Sequence, residues 1–499
     1  MTTDSTPAAD KSRLFTASCF SLISTSVCFA VVGASLGAFK NEFLLSNTDV
    51  GWIGGAAIWG FTVSMIILGP LCDAIGLKNL LRFAFFCHLA GALTMITASG
   101  YEMLFAGSLI LALGNGTVEA ACNPLVATLY PNDKTEKLNH FHVWFPGGIV
   151  IGGVLSFLLG EIAASSGIEW LGDWRTKIAL IIIPTLIYGW LFLGQSFPPT
   201  ERKAAGITFS GMLKGAFSRP LFWILLFCMA ITASLELGPG RWIPAVLEAG
   251  GIHGILVLAY INGLMAVLRF NAGAFLKRFS PIAILMVSSV LAGAGLYWFS
   301  FSESTVSAFA SATLFALGVC FFWPTMLGIT AELVPKSGSL GLALMGGIGM
   351  LTVGVITSPA VGKIADGYFN AKLEQDHQEE TVSLLREVQM KYPRLAQEAP
   401  EVRKEEILSA VTLANETLKS YTKEGTLPEP TAVTLRSAIQ NAPEGFDTSE
   451  LSELVNSADN YGGRIAFRYL APFAVIIFSI FLTLHFANRK QGGYKTETV

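Results

Sequence analysis

Charged residues are scarce in this sequence, and their scarcity excludes several classes of protein. Of its 499 residues, 14% are charged and 52% are hydrophobic, and the mean hydropathy is +0.55. An ordinary soluble domain is about 25% charged. Disordered chains are richer in polar residues, and nucleic-acid binders carry a basic surface. The composition therefore excludes both classes and most soluble enzymes, and it indicates a protein that lies in a lipid bilayer.

Sequence patterns of ATP-driven and metal-dependent proteins are also missing. The chain has no Walker A motif, so ATP hydrolysis is not the predicted energy source. It has no Cys-x-x-Cys pair and no His-Glu-x-x-His sequence. We therefore expect no cofactor and no metal site. The cysteines are interpreted as buried small hydrophobic residues: Cys19, Cys28, Cys72, Cys87, Cys122, Cys228 and Cys320.

Long apolar runs dominate the remaining sequence. Twelve segments are each long enough to cross a hydrocarbon core of about 30 Å. Because lipid cannot satisfy backbone polar groups, each segment is predicted to be a helix. The approximate limits are 13–39, 49–71, 80–99, 103–129, 142–165, 176–197, 219–247, 253–276, 281–301, 305–331, 338–365 and 465–487. The predicted fold class is an all-α membrane protein with twelve transmembrane helices.

Lysine and arginine are unevenly distributed between the two sides of this arrangement. If the N-terminus is cytoplasmic, most loop cations lie on the cytoplasmic side. The short loops opposite hold only Lys40, Arg175 and Lys177. Positive loops are cytoplasmic in membrane proteins. We therefore predict a multi-pass protein of the plasma (inner) membrane with both termini in the cytoplasm.

The polar segments divide the chain into two predicted six-helix bundles. The segment after the sixth apolar run is polar and contains Pro198 and Pro199, which is typical of a cytoplasmic linker. The predicted units are a polar N-terminal tail (1–12), an N-terminal bundle (13–197), the linker (198–218), a C-terminal bundle (219–365 and 465–487) and a cytoplasmic tail (488–499).

Residues 366–464 interrupt the second bundle and differ from it in composition. This stretch holds about half of the chain's Asp and Glu. Apolar residues recur with helical spacing from Leu384 to Leu395 and again from Ile407 to Leu418. We predict an extracytoplasmic helical insertion, with a partly flexible loop as the alternative.

A specific motif joins the second and third apolar segments. It reads Gly69-Pro-Leu-Cys-Asp73-Ala-Ile-Gly76-Leu-Lys78-Asn-Leu-Leu-Arg82. Gly69 permits close approach of two helices, and Gly76 permits a tight turn. Asp73 can accept hydrogen bonds from an arginine or a helix N-terminus. The motif therefore predicts a latch that forms in one conformational state and breaks in another, with a stable turn as the alternative.

This motif and the twelve-segment topology resemble those of the major facilitator superfamily over about 400 residues. The resemblance implies two bundles around a central cavity, with alternating access to a site near the bilayer midplane. The second bundle has a degraded copy of the gating motif, which begins at Arg269 and lacks the acidic residue.

The fourth apolar segment carries a carboxylate, Glu119, one helical turn before Asn123. A carboxylate within a membrane helix is costly unless it faces a cavity, where it can carry a proton. The run Glu119-Ala-Ala-Cys-Asn123-Pro124 resembles that of the fucose permease-like sugar:proton symporters. This resemblance implies proton coupling at Glu119 and substrate binding at Asn123. The matching stretch of the first segment, 31–39, lacks the acid of those symporters. A structural pairing of Glu119 is the alternative.

The seventh segment carries Glu236 and Trp242 around a Gly238-Pro239-Gly240 sequence that predicts local unwinding. It resembles a segment of sugar-transporter relatives, which implies that Glu236 and Trp242 contact substrate. A neutralising Glu236–Arg241 pair and an interfacial tryptophan are the alternatives.

Three further residues are predicted to line the cavity. His142 could share a proton relay with Glu119, or it could face the cytoplasm at the interface. Asn262 and Trp323 are candidates for substrate contact, although Trp323-Pro324 also fits a helix bend.

Together these features predict a secondary active transporter, not an enzyme. The predicted solute is a small polar molecule, a sugar or sugar derivative, coupled to protons or alternatively to Na⁺. The predicted partners are this solute and the lipid bilayer, without nucleic acid, and the chain is expected to be a monomer. Two alternatives stay open: a transporter of another organic solute, and a non-transporting sensor or assembly protein that uses 366–464.

Overall fold

The structure is a computed structural model that describes residues 10–43, 45 and 47–497. Residues 1–9 and 498–499 of the predicted tails lie outside the described residues. The long helices are α1 (Lys11–Phe43), α2 (Asn47–Leu68), α3 (Leu77–Ile96), α4 (Tyr101–Leu129), α5 (Trp144–Ser166), α6 (Trp174–Phe192), α7 (Pro220–Ala249), α8 (Gly254–Phe270), α9 (Pro281–Phe299), α10 (Thr305–Leu333), α11 (Pro335–Asp376), α12 (Gln378–Leu395), α13 (Glu401–Glu424), α14 (Thr431–Gln440) and α15 (Ser449–Lys490).

Three of these helices contain local irregularities. Helix α6 consists of Trp174–Ala179 and Ile182–Phe192, α10 of Thr305–Val319 and Phe322–Leu333, and α11 of a 3₁₀ turn (Pro335–Ser337), Gly338–Leu351, a π-helical turn (Thr352–Thr357) and Ser358–Asp376. Short helices lie between the long ones: Cys72–Ile75, Lys134–Phe141, Glu169–Gly172, Glu201–Ala204, Phe209–Phe217, Ala272–Leu276 and a 3₁₀ turn at Ala396–Glu398.

Eleven helical stretches among the described residues are long and apolar enough to cross a membrane. They include eleven of the twelve predicted segments. The remaining one, α8, is apolar but has only 17 residues. The predicted all-helical membrane architecture is therefore confirmed, whereas the count of twelve crossing helices stays a prediction.

Two groups of helices pack into separate bundles. In the first, α1 packs against α5 and α6, and α4 packs against α2 and α3. In the second, α9 packs against α10 and α15, and α15 also packs against α7 and α11. Glycine permits the closest crossings, since a Cβ at Gly318 of α10 would lie 2.2 Å from the backbone nitrogen of Ala292 on α9. The chain thus returns to the second bundle with its last long helix.

The helices α12, α13 and α14 form a small body of their own, which we call the cap. Its apolar core includes Leu385 and Tyr392 of α12, Ala414 of α13 and Leu435 of α14. The end of α11 and the beginning of α15 contribute to the same core, for example through Phe369. The cap is therefore continuous with two long helices of the second bundle.

Helix α7 is uninterrupted from Pro220 to Ala249, with Pro239 and Pro244 inside it. The predicted unwinding at Gly238-Pro239-Gly240 is therefore wrong. A proline removes one backbone donor, but Gly238 directly before it has no Cβ that would clash with the proline ring. Close packing of Gly238 against Thr357 of α11 also holds this stretch helical.

The two bundles meet most closely at the end of the molecule that carries Asp73, which we call the Asp73 end. There α2 packs against α11, α5 against α8, and the short helix Lys134–Phe141 against α10. Near the opposite end, a Cβ at Gly33 or Gly37 of α1, Gly51 of α2 or Gly240 of α7 would meet no atom within 4 Å. The bundles are thus joined at the Asp73 end.

A buried charge cluster between the two bundles

Glu119 lies in the most buried part of α4, where every residue from Gly114 to Val126 is buried. Its side chain is only 2% exposed. Asn123, one turn further, donates to Oε2 of Glu119 over 2.7 Å. The carbonyl oxygen of Asn123 is buried and has no hydrogen-bond partner among the described residues. The amide therefore orients the carboxylate and keeps one acceptor available for a ligand.

His142 lies between the short helix Lys134–Phe141 and α5, and it is also 2% exposed. Its Nε2 is 3.4 Å from Oε2 of Glu119, and its Nδ1 is 2.9 Å from the carbonyl oxygen of Leu138. A carbonyl only accepts, so Nδ1 carries a proton. The structure therefore places His142 beside Glu119, away from the cytoplasmic interface that was the alternative position.

Arg269 neutralises the second buried carboxylate, Glu236. Its Nη2 donates to Oε1 of Glu236 over 2.7 Å, and both side chains are nearly inaccessible. The backbone nitrogen of Trp323 donates to the other carboxylate oxygen over 3.2 Å. The partner of Glu236 is thus Arg269 and not Arg241, which was the sequence-based alternative. The structure also places the Arg269 side chain in this cluster, although the sequence assigned it to a gating motif.

Arg269 also connects the two bundles. Its Nη1 donates to the backbone carbonyl of His142 over 3.1 Å, while its Nε donates to the carbonyl of Cys320. The cluster therefore runs from Asn123 and Glu119 through His142 and Arg269 to Glu236.

The charges in this cluster can be counted directly. Arg269 balances Glu236, which leaves Glu119 and His142 as the remaining pair. That pair is neutral when it holds one proton beyond Nδ1–H, on either the carboxylate or Nε2. Uncompensated charge in a buried site is costly. The cluster therefore carries one uncompensated negative charge when Glu119 is ionised and His142 is neutral.

The cluster borders a small central cavity of about 30 Å³, which is room for about one water molecule. Aromatic and apolar side chains from both bundles complete its wall, among them Phe29, Phe61, Phe145, Leu237 and Met350. In this state the charged groups are therefore enclosed, and a ligand the size of a sugar requires the bundles to separate.

The other predicted contact residues lie at different places. Trp323 lines the cavity, and its ring packs against Gly346 and Gly349 of α11. Asn262 lies seven residues before Arg269 on the same face of α8, and its amide donates to the Leu258 carbonyl.

Trp242 packs against Gly362 of α11 and does not line the cavity.

The predicted gating motif lies where the bundles meet. Asp73 accepts hydrogen bonds from the side chains of Thr200 and Arg202, both in the segment after α6. Gly76 has a φ of 87°, a conformation that favours glycine. The two basic residues of the motif are not part of the Asp73 contact: Lys78 donates to the Gln195 carbonyl over 2.8 Å, and Arg82 to the Asn79 side chain over 3.4 Å.

Gly69 is essential to the close packing of α2 and α11. A Cβ at this position would lie 2.0 Å from the Cβ of Ala343. We therefore expect Gly69→Ala to disfavour closure of the Asp73 end by about 1–3 kcal/mol, the cost of overpacking. The measurement is the distance between spin labels at two exposed positions of that end, Asn79 and Arg278, which should shift to longer values. All native cysteines are buried, so the spin-label reagent should react with the cysteines introduced at these two positions.

Gly55→Ala is the matched control on α2, since a Cβ there meets nothing closer than 3.9 Å. It should leave the distance distribution unchanged. A Gly69→Ala protein with wild-type distances would show that the α2–α11 contact does not limit closure.

Sequence reasoning missed a second set of contacts between the bundles. Glu332 at the end of α10 accepts from the backbone nitrogen and the hydroxyl of Thr135, over 3.0 and 2.7 Å. Lys134 donates to Glu201 over 2.7 Å and to the Ala331 carbonyl over 3.3 Å. The only sequence signal is an acid at the end of an apolar segment, which does not indicate its partner.

Comparisons with known proteins identify the class to which this helical architecture belongs. A sequence model of the Major Facilitator Superfamily matches residues 14–359. The chain therefore belongs to this superfamily and is a multi-pass membrane transporter of small organic solutes, not an enzyme.

Several relatives resemble the chain at low identity. It is 24% identical to the gentisate transporter of Corynebacterium glutamicum, covering 66% of this chain and 75% of that one. Against Escherichia coli proteins, it is 23% identical to the 3-(3-hydroxy-phenyl)propionate transporter (72% and 94% covered) and 23% identical to the L-fucose-proton symporter (66% and 82% covered). Its fold is similar to that of the transporter FucP in the outward conformation, with a TM-score of 0.58 at 20% identity over 71% of this chain and 92% of that one.

Proposed function

We propose that the protein is a proton-coupled symporter of a small neutral polyhydroxylated solute, a sugar or sugar derivative. The observation that carries this proposal is the enclosed cluster of two carboxylates, one arginine and one histidine. This cluster is balanced when it holds one proton. Carboxylates and the free Asn123 carbonyl accept hydrogen bonds from hydroxyl groups. A neutral solute with hydroxyls adds no charge to the balanced cluster.

The proposed cycle uses the contacts between the bundles. With Asp73 in contact with Arg202, and Glu332 with Thr135, the Asp73 end is closed. Solute and proton would reach the enclosed cluster when the bundles separate at the opposite end. Binding of both would favour separation of the bundles at the Asp73 end, because a ligand shifts an equilibrium by its differential affinity for the two states. We place the Asp73 end in the cytoplasm of a plasma membrane protein, since its loops carry most of the positive charge.

An organic carboxylate is the second candidate solute, and Arg269 is the observation that favours it. A buried guanidinium binds carboxylates through paired hydrogen bonds. Two of the relatives are described as transporters of gentisate and of 3-(3-hydroxy-phenyl)propionate, which are aromatic carboxylates. Here, however, Arg269 is already bonded to Glu236, so an anion would have to displace that carboxylate.

Uptake into proteoliposomes distinguishes these candidates by charge. The panel contains L-fucose, D-xylose, gentisate and 3-(3-hydroxy-phenyl)propionate, each with and without an inward proton gradient. One proton moving with a neutral solute transfers one positive charge, so an inside-negative potential should increase uptake. One proton moving with a monoanion transfers none. We expect proton-driven, potential-sensitive uptake of a neutral member.

Na⁺ is the control in the same experiment. An inward Na⁺ gradient without a proton gradient should not drive accumulation. Uptake of an aromatic acid that does not respond to the membrane potential would contradict the neutral solute. It would support the organic carboxylate, the second candidate. Uptake driven only by Na⁺ would contradict proton coupling.

A further inference from the structure

The last residues of the described chain do not extend away from the molecule. Helix α15 ends at Lys490, and the chain then turns at Gly492 and Gly493, whose φ values are 88° and 101°. Both values lie in the region that favours glycine. Two successive glycines therefore direct the segment from Tyr494 to Glu497 back onto the Asp73 end. We call residues 491–497 the strap.

The strap makes two polar contacts with the end of α10 and one with the residue that precedes α7. The hydroxyl of Tyr494 donates to Oε2 of Glu332 over 2.5 Å. The backbone nitrogen of Glu497 donates to the carbonyl of Glu332 over 2.8 Å. The carboxylate of Glu497 accepts from Nη1 of Arg219 over 2.6 and 2.7 Å, and the same nitrogen donates to the Leu333 carbonyl. The strap is thus anchored to one residue of α10 and to the residue that precedes α7.

Glu332 is also one of the residues that join the two bundles. Its Oε1 accepts both hydrogen bonds from Thr135 of the first bundle, while its Oε2 accepts from Tyr494. One carboxylate is therefore shared by the strap and the contact between bundles. Since Glu332 is only 6% exposed, water contributes little to its orientation.

Tyr494 is well suited to hold this carboxylate in place. Its ring is half-buried and packs against the main apolar core. Burial raises the pKa of its hydroxyl, and the negative charge of Glu332 raises it further. The hydroxyl therefore stays protonated and donates to the carboxylate at any physiological pH.

We propose that the strap is a built-in brake on opening of the Asp73 end: by fixing the carboxylate of Glu332 against Thr135, it stabilises the state in which the bundles are joined there. Opening at this end breaks the Thr135–Glu332 contact. With the strap in place, Glu332 cannot rotate toward water as the bundles part. Releasing the strap therefore favours the state open at the Asp73 end.

The distance between spin labels at Asn79 and Arg278 tests this proposal in lipid nanodiscs without any solute. The variants are Tyr494→Phe, which keeps the ring and removes the hydroxyl, and a truncation after Gln491. A hydrogen bond to a charged group is strong enough to change the ratio of open to closed molecules about tenfold. We expect both variants to raise the open fraction by about that factor, and Glu497→Gln to raise it less.

Thr496→Ala is the matched control, since the Thr496 side chain is exposed on the same segment. It should reproduce the wild-type distances, and melting temperatures establish that each variant is folded. Wild-type distances in the folded truncation would overturn the proposal, as would an equal shift in Thr496→Ala. Because no solute is present, either result is independent of the proposed sugar:proton symport.

Discussion

Replacing Glu119 by glutamine is expected to abolish proton-driven accumulation while preserving solute exchange. Glutamine has the size of glutamate and retains an acceptor for Asn123. It cannot release or bind a proton at physiological pH. With one coupled proton, the wild type should accumulate solute by up to about tenfold for each unit of pH gradient. The variant should reach a ratio near one, measured as steady-state uptake of the solute identified in the panel.

The matched control for this variant is Glu102→Gln. Glu102 lies in the first turn of the same helix, and it is exposed. Its replacement should leave the accumulation ratio as in the wild type. Exchange of labelled for unlabelled solute, measured without a gradient, shows whether the Glu119→Gln protein still binds and moves its solute. Persistent accumulation in the Glu119→Gln protein would show that another group binds the coupling proton.

The second large effect is expected for the buried ion pair, in the variant Arg269→Gln. Breaking a buried pair from one side leaves Glu236 uncompensated, which costs about 3–5 kcal/mol. This variant also loses the hydrogen bond that joins α8 to the His142 carbonyl. We expect a markedly lower melting temperature in detergent and transport that falls below detection in proteoliposomes.

The double variant Glu236→Gln/Arg269→Gln separates stability from function. It removes both charges, so most of the lost stability should return, whereas transport should not. Arg278→Gln, in the exposed turn before α9, is the control for loss of an arginine. If the double variant were as unstable as Arg269→Gln, the packing and hydrogen bonds of Arg269 would matter more than its charge.

The two buried acidic residues are connected by a short series of contacts that crosses between the bundles. Glu119 belongs to the first bundle and Glu236 to the second. They are connected through His142 and Arg269 over contacts no longer than 3.4 Å. A change in the protonation of the first pair therefore alters the field at the second. Under the proposed proton coupling, this series of contacts would link proton binding to movement of the bundles.

The cap adds no residue to the cavity wall, although the stretch 366–464 that contains it holds about half of the chain's Asp and Glu. It packs on extensions of α11 and α15, both of which belong to the second bundle. Separation of the bundles would therefore carry the cap with the second bundle as one body. Membership of a transporter family favours transport over the sensor hypothesis that the insertion suggested.

Much of the fold could be predicted from the sequence, because the bilayer imposes strong constraints. An apolar run that crosses lipid has to satisfy its backbone internally, so its length and composition predict a helix. The same constraint identified the important acids, since a carboxylate within such a run has to face a cavity or a partner. The family resemblance and the all-helical membrane architecture were both confirmed on this basis.

The partners of the charged residues could not be predicted in this way. Arg241 lies only five residues after Glu236, but five residues place it about 140° around the helix, on another face. Arg269 is 33 residues away in sequence and supplies the hydrogen bond. Likewise, Asp73 pairs with Arg202, 129 residues later, and Thr135 with Glu332, 197 residues later.

The sequence by itself therefore determined that the long apolar segments are helices, which family the chain belongs to, and that Glu119 and Glu236 are acids within such helices. These features follow from the local cost of placing each residue in lipid. Only the tertiary structure decided that Arg269 joins the charge cluster, that Glu332 holds the two bundles together, and that the tail returns to that same carboxylate. Those outcomes depend on distances between helices far apart in the chain. An ion pair or hydrogen bond has a length of about 3 Å, and no local pattern of residues specifies it.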